Sequence, residues 1–565
     1  VLSVRSRLFV CLSTRSFPSI IITRTLAMDD TMEKVASQTS KRRQSTATGH
    51  DSKPQAGDTE LLATLGYKQE LRRHYSTIQI FAVAFSIMGL LPSIASTLAF
   101  SMPAGPADMA SAMPTAGGLY FWTHYFASEK WKNPLSFLVG YSNTIGLIGA
   151  YAQLTVNGFA SMFLSVISLV RDGNWSATRP VIYGTYVATV FAHGFIAIFF
   201  ARMMPKIQSA CIFLNIALVV ATVIALPLGK AKNSPQVNPG SYVFGDIQNH
   251  TTWPTGWAFI MAWLSPIWTI GAFDSCVHMS EEATHAARAV PLGIISSAGL
   301  CGLLGFVSLA VIASSMDRNI EGILNSKFGQ PMTQIYYDAL GKSGALGFMV
   351  VVMIVQFFMG LSIVLAASRQ SWAFSRDGAL PLSSFFRKVS QHAFMRYQPV
   401  RMVCGIVVAS ALIGLLCLID EAAASALFSL AVAGNDLAWL TPILARLLWG
   451  GDRFIPGEFY TGKYLSKPIG WVAVIYMMFV IVLTMIPTEG PNPSREFTLH
   501  YTILCAFADW VLFEAQTMNY TVVINGSLWL GALVYYYVHA RKTYKGPQTT
   551  VSPEDEGKNL EQDSK

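Results

Sequence analysis

The stretches FAVAFSIMGLLPSIASTLAF (Phe81 to Phe100) and WAFIMAWLSPIWTIGAFDSCVHMSEE (Trp257 to Glu282) decide the reading of this chain. Each is long and apolar enough to enter a bilayer, and each is interrupted near its middle by glycine, proline and small polar residues. Lipid offers no partner to a freed backbone N–H or C=O, so an unbroken helix crosses it more stably. A broken span persists only where its loosened backbone faces protein or a watery cavity. Two such spans in corresponding halves of a chain point to the solute site of a secondary transporter.

Composition agrees. Of the 565 residues, 52% are hydrophobic and only 13% are charged, against about 25% charged in an ordinary soluble protein. Mean hydropathy is +0.42. Repeated apolar runs match the hydrocarbon thickness of a bilayer, which excludes a soluble enzyme. The seven cysteines are scattered, mostly within apolar runs and without a CxxC pair, so they form neither a disulfide framework nor a metal site. The net charge of +8 is carried by short loops. That is the pattern of positive-inside topology rather than of nucleic-acid binding.

Candidate spans fall at roughly 76–101, 135–168, 181–201, 207–229, 256–278, 291–315, 344–368, 400–419, 423–449, 470–487 and 521–540. Basic residues mark the cytoplasmic side: Arg202 and Lys206, Arg288, the group from Arg369 to Arg401, then Arg541, Lys542 and Lys545. The sequons at Asn174 and Asn249 fall in loops on the other side. Residues 1–73 read as a disordered cytoplasmic tail ending in KQELRR (Lys68 to Arg73), and residues 546–565 as a second one. Within the first tail, 1–27 is arginine- and serine-rich without acids. It reads as untranslated sequence ahead of Met28, with a mitochondrial-type presequence as the alternative. Residues 74–545 form the membrane domain.

Two irregularities interrupt this scheme. Topological parity requires one more crossing between Ala99 and Leu119, yet FSMPAGPADMASAMPTAGGLYFW is too short and broken to supply it. The stretch HYTILCAFADWVLFEA (His500 to Ala515) is too short and too acidic for a span, and 495–515 reads as an insertion.

AFSIMGLLPSIASTLAFSMPAGP (Ala84 to Pro106), ASAMPTAGGLYFWTHYFA (Ala110 to Ala127) and LVGYSNTIGLIG (Leu138 to Gly149) resemble fungal amino acid permeases. So do LSPIWTIGAFDSCVHMSEEATHAARAVP (Leu264 to Pro291), SRQSWAFSRDGALP (Ser368 to Pro381) and FSLAVAGNDLAWLTP (Phe428 to Pro442). The subgroup is the amino acid/choline transporter family of the amino acid–polyamine–organocation superfamily, which holds GABA and choline permeases. The resemblance implies an all-α integral membrane protein with a leucine-transporter-type five-plus-five inverted repeat and two further C-terminal helices. Against that pattern most of the second helix is missing here. It also implies proton-coupled import of an amino acid or a small amine such as GABA or choline, across the plasma membrane or an endomembrane such as the vacuole's. A transport-inactive nutrient sensor, partner subunit or mis-spliced form is the alternative if the helix is truly lost. No cofactor, metal or nucleic acid is implied, and no enzyme motif appears in the sequence.

An amino acid surrenders hydration at both charged ends, and the site must replace it. Ser86, Ile87, Met88 and Gly89, at the first break, offer unwound backbone and a positive half-helix end for the carboxylate; a plain kink at Gly89 and Pro92 is the alternative. In the second break Trp268, Thr269, Ile270, Gly271, Phe273 and Asp274 are the candidate substrate contacts. Trp268 and Phe273 suit stacking on a cationic head, or simple packing. A carboxylate at bilayer depth costs about 2.5–3.5 kcal/mol. Asp274 therefore needs a role: attracting an ammonium, carrying the coupling proton, or capping the second half-helix. Asp436, beside Asn435, is a second buried acid and a second proton candidate. Glu281 and Glu282, before Arg288, read as solvated or paired in a gate rather than as substrate ligands, with Glu281 also a proton-coupling candidate, and His193 and His278 read as isolated structural histidines.

Overall fold

The computed structural model describes residues 54–88, 104–233, 237–246, 249, 251–264, 268–269, 271–392, 395, 397–419, 421–486 and 521–550. Gly89, Ile270 and the 495–515 segment lie outside them, as do residues 1–53 and 551–565. The regular structure among the described residues is helical, with one isolated bridge between Tyr75 and Ala283.

In chain order the helices are α1 (Pro54–Thr64), α2 (Thr77–Met88), α3 (Ala104–Ala112), α4 (Gly118–Phe126), α5 (Lys132–Gln153), α6 (Ser161–Val170), α7 (Arg179–Phe199), α8 (Met204–Asn233), α9 (Gly240–Gly245) and α10 (Thr255–Met261). They continue as α11 (Ser275–His278), α12 (Ala286–Ser315), α13 (Ile320–Leu324), α14 (Pro331–Arg376), α15 (Ser383–Phe386), α16 (Val400–Ile413), α17 (Glu421–Ala445), α18 (Ser466–Thr484) and α19 (Thr521–Val538). Seven helical stretches among the described residues are long and apolar enough to cross a membrane, including Lys132–Val170, which joins α5 and α6 through a π-helical turn. That turn is met by Gln356, whose amide donates to the Leu154 carbonyl at 3.1 Å.

Burial explains how these apolar helices assemble. Large side chains such as Phe213, Leu228, Ile475 and Leu530 stay exposed on the outside, where lipid is as good a solvent as another helix. The inside is packed through small residues. A Cβ on Gly146 of α5 would come 2.5 Å from Asn435 Oδ1, and one on Gly434 of α17 would lie 3.3 Å from the Ser142 carbonyl. The Ser142 hydroxyl donates to that same Gly434 carbonyl at 2.8 Å. Glycine on both helices is what lets α5 and α17 come together this closely.

The second apolar segment is broken as its sequence predicts. After α10 the chain is helical again at Trp268 and Thr269, then turns at Gly271 and Ala272 before α11 begins at Ser275. Ala272 has φ 72°, a left-handed value that costs a residue with a Cβ. Ser275 holds this turn by donating its hydroxyl to the Ala272 carbonyl at 2.6 Å.

The chain ends are more ordered than their composition predicts. Residues 54–73 were expected in a disordered tail, yet α1 forms there, and Leu62, Tyr67, Leu71 and Arg73 are buried. The partners come from far along the chain. Asp58 accepts from the backbone N–H groups of His285 (2.6 Å) and Ala286 (3.1 Å), capping α12. Arg73 donates to the Ala283 carbonyl at 2.7 Å. At the other end, where a tail was expected from 546, Thr550 N–H donates to the Gly66 carbonyl at 2.7 Å, and Lys68 N–H to Thr550 Oγ1 at 2.7 Å.

Candidate functional site

A small cavity of about 40 Å³ opens beside the break at Gly271 and Ala272. Ile87 of α2, Leu147 and Leu154 of the third span, Met359 and Ile363 of α14, and Asn435, Asp436 and Trp439 of α17 form its walls, with Trp268 at the break. The space admits water-sized groups.

Two acids lie near the cavity, and their surroundings differ. Asp274 Oδ2 accepts from Asn143 Nδ2 at 3.0 Å and faces His278 Nε2 at 3.2 Å. His278 Nδ1 lies 3.0 Å from the Ala116 carbonyl, which can only accept, so Nδ1 carries a proton. The contact between Nε2 and the carboxylate then requires one further proton on one of the two groups. Asp274 and His278 hold it in common, both wholly buried. Asn143 also donates to Asn435 Oδ1 at 3.2 Å, tying this pair to α17. Asp274 precedes α11 but makes no side-chain cap, so among the described residues its carboxylate goes to Asn143 and His278 instead.

Asp436 is different. It is fully buried on the cavity wall, and neither oxygen has a hydrogen-bond partner among the described residues. Trp439, three residues on, lies on the same face of α17 and lines the same space.

A layer of ion pairs lies beyond His278. Glu281 receives both arms of Arg376 at 3.0 Å, and Ala116 N–H donates to its Oε1 at 3.2 Å. Glu282 Oε1 accepts from Arg369 Nε at 2.7 Å, and Arg369 Nη2 reaches Gln398 Oε1 at 2.8 Å. All four charged side chains are buried. Arg369 and Arg376, expected among the loop cations, therefore belong to α14 and to this layer. The acids pair with them rather than standing solvated beside Arg288. Asp377 follows, accepting from Tyr120 Oη (2.7 Å), Tyr67 Oη (3.0 Å) and Gln548 N–H (3.2 Å). Burial pushes its carboxyl up to about 6, against the opposing pull of Arg376 and of these donors.

Of the residues singled out in the sequence, Ile87, Trp268, Gly271 and Asp436 meet at the cavity. Phe273 packs behind it, 4.6 Å from the Trp439 ring. Ser86 is engaged with Ser362 at 3.2 Å, Met88 and Thr269 are buried off the cavity, and Gly89 and Ile270 lie outside the described residues. His278, read as isolated, partners Asp274. Its offset of four residues from Asp274 was the available signal. Trp439, Met359 and Ile363 were missed because an apolar residue in an apolar helix looks the same whether it faces lipid or a cavity.

The residue pattern of amino acid permeases matches residues 75–508. The chain is 40% identical over 527 residues to a GABA-specific permease of Saccharomyces cerevisiae, covering 89% of this chain and 88% of the relative. It is 32% identical over 527 residues to an uncharacterized amino-acid permease of Schizosaccharomyces pombe, covering 89% and 91%. To a putative polyamine transporter of Candida albicans it is 28% identical over 529 residues, covering 88% and 90%.

Proposed function

The chain belongs to the amino acid permease family, and from that premise we propose that it imports an amino acid or small amine, GABA foremost, by proton-coupled secondary transport. The observation that carries this reading is the cavity at the broken segment, lined by Trp268, Trp439 and an acid with no neutralising partner among the described residues. GABA and polyamines, for which two of the relatives are named, both carry an ammonium group such an acid would attract.

In this reading the chain has the five-plus-five inverted repeat with two extra C-terminal helices and a shortened second helix. Its Arg369/Arg376 end faces the cytoplasm, as do both termini, and the plasma membrane is its site. Ser86, Ile87 and Met88, expected as unwound backbone for the substrate carboxylate, lie within helix α2, and of the three Ile87 reaches the cavity. Thr269 to Asp274 supplies the hinge. A proton shared between Asp274 and His278 is the coupling proton, and the Glu281–Arg376 and Glu282–Arg369 pairs are the inner gate, drawn together by these contacts.

Uptake of labelled GABA, choline and an amino acid panel by permease-deficient yeast expressing the chain tests this. Accumulation that a protonophore abolishes is the expected result. Accumulation indifferent to the protonophore would remove proton coupling, and no uptake of any compound would leave a non-transporting sensor as the better reading.

A further inference from the structure

The two buried acids near the cavity divide the work, and the division selects the substrate. Asp274 already has Asn143 and His278 on its carboxylate. Asp436 offers two oxygens with no hydrogen-bond partner among the described residues, and it faces the cavity directly. A buried carboxylate is kept at bilayer depth only for a compensating contact. Among the described residues no basic side chain lines the cavity, so a visiting cation is the contact that would keep this carboxylate charged. Two vacant acceptors call for N–H donors. An ammonium can donate N–H to both oxygens, whereas a trimethylammonium has no N–H and leaves them unbonded. The indoles of Trp268 and Trp439 present faces on which such a cation is further stabilised.

We propose that the Asp436 carboxylate, flanked by Trp268 and Trp439, is the docking point for a primary ammonium on the transported solute, so that the chain takes amines bearing N–H donors and rejects quaternary ones. This rests on the transport reading and narrows it. Choline and other quaternary amines fall outside the substrate class, and ω-amino acids and primary amines fall within it. Asp436 touches substrate, while the proton stays with Asp274 and His278.

The test is equilibrium binding to the full chain in lipid nanodiscs with 4-aminobutyrate, its N,N,N-trimethyl analogue and butyrate, alongside uptake in yeast. The wild-type chain should bind 4-aminobutyrate, bind the trimethyl analogue at least about tenfold more weakly, and bind butyrate more weakly still, as loss of a hydrogen bond to a charged group implies. Asp436→Asn should weaken 4-aminobutyrate by about tenfold or more and shrink its advantage over butyrate. Asp436→Glu should keep the order of preference. Wild-type binding of the trimethyl analogue equal to that of 4-aminobutyrate overturns the assignment without any variant. Asp436→Asn binding 4-aminobutyrate within twofold of wild type, with accumulation lost, also overturns it and makes Asp436 the proton carrier. If the wild-type chain binds none of the three, the transport reading itself fails and the assignment falls with it.

Discussion

Replacing Glu281 by Gln should unlock the end of the molecule that carries the ion pairs. The change keeps the volume of the side chain but removes the charge that both arms of Arg376 grip at 3.0 Å. Removing one partner of a buried pair costs about 3–5 kcal/mol, because the other charge is left without compensation. Arg376 is not left bare. Its guanidinium sits 4.0 Å from the Tyr67 ring centre and 4.7 Å from that of Trp372. The lower bound therefore applies, about 3 kcal/mol, or roughly two decades in the ratio of closed to open forms. A reporter is needed behind the gate. In a cysteine-free background Ile363→Cys places a thiol on the cavity wall, where residue 363 is buried. Its rate of maleimide labelling in nanodiscs follows the open fraction. Glu281→Gln should raise that rate by about 100-fold. Adding Arg376→Gln should bring it back down, since two neutral amides can bond each other with no stranded charge. A rate unchanged within twofold in the single variant, or a double variant faster than both singles, would refute the idea that this layer holds the path shut.

Three further outcomes follow from the geometry. Asp274→Asn keeps an acceptor for Asn143 but cannot share a proton with His278, so uptake driven by a proton gradient should fall at least tenfold while substrate binding stays within about threefold; equal losses in both would show the pair to be structural only. Gly146→Ala pushes a methyl group into Asn435, an overpacking that should cost about 1–3 kcal/mol and lower the melting temperature of the detergent-solubilised chain, and an unchanged melting temperature would contradict the close α5–α17 contact. Asp377 has its carboxyl raised from 3.8 to about 6 where the two chain ends meet, so the docked form holds a proton more tightly than the undocked one. Docking is then strongest below about pH 4 and weakens as pH rises through about 6, by up to roughly 3 kcal/mol at the limit. Amide exchange across Thr543 to Thr550 should slow as pH falls from 7.5 to 5, after correction for intrinsic rates, and the opposite trend would reverse the sign of the argument.

Seven of the eleven expected spans and the second break were legible in the sequence because both are local properties. Hydropathy over about 20 residues fixes what lipid accepts, and Gly271 next to small residues marks where a helix cannot hold its own backbone satisfied. The close α5–α17 seam was not read from the sequence, since Gly146 and Gly434 do not announce which helix they face. The chain ends were misjudged for an equally physical reason. Residues 54–73 carry too little apolar surface to fold alone, and they are ordered by carbonyls, N–H groups and a cap supplied from positions more than 200 residues away.

The tertiary structure alone decided which acid is occupied and which is vacant. Asp274 and Asp436 look equivalent as single carboxylates in apolar helices. Their difference arises because α5 brings Asn143 to one and nothing among the described residues meets the other. The same holds for Glu281 and Glu282, whose cations lie 95 and 87 positions on. Composition tells a segment whether it belongs in lipid, since that depends on its own atoms. Pairing across a bundle depends on the rotation and depth of two helices at once, and those are set by the packing of the whole.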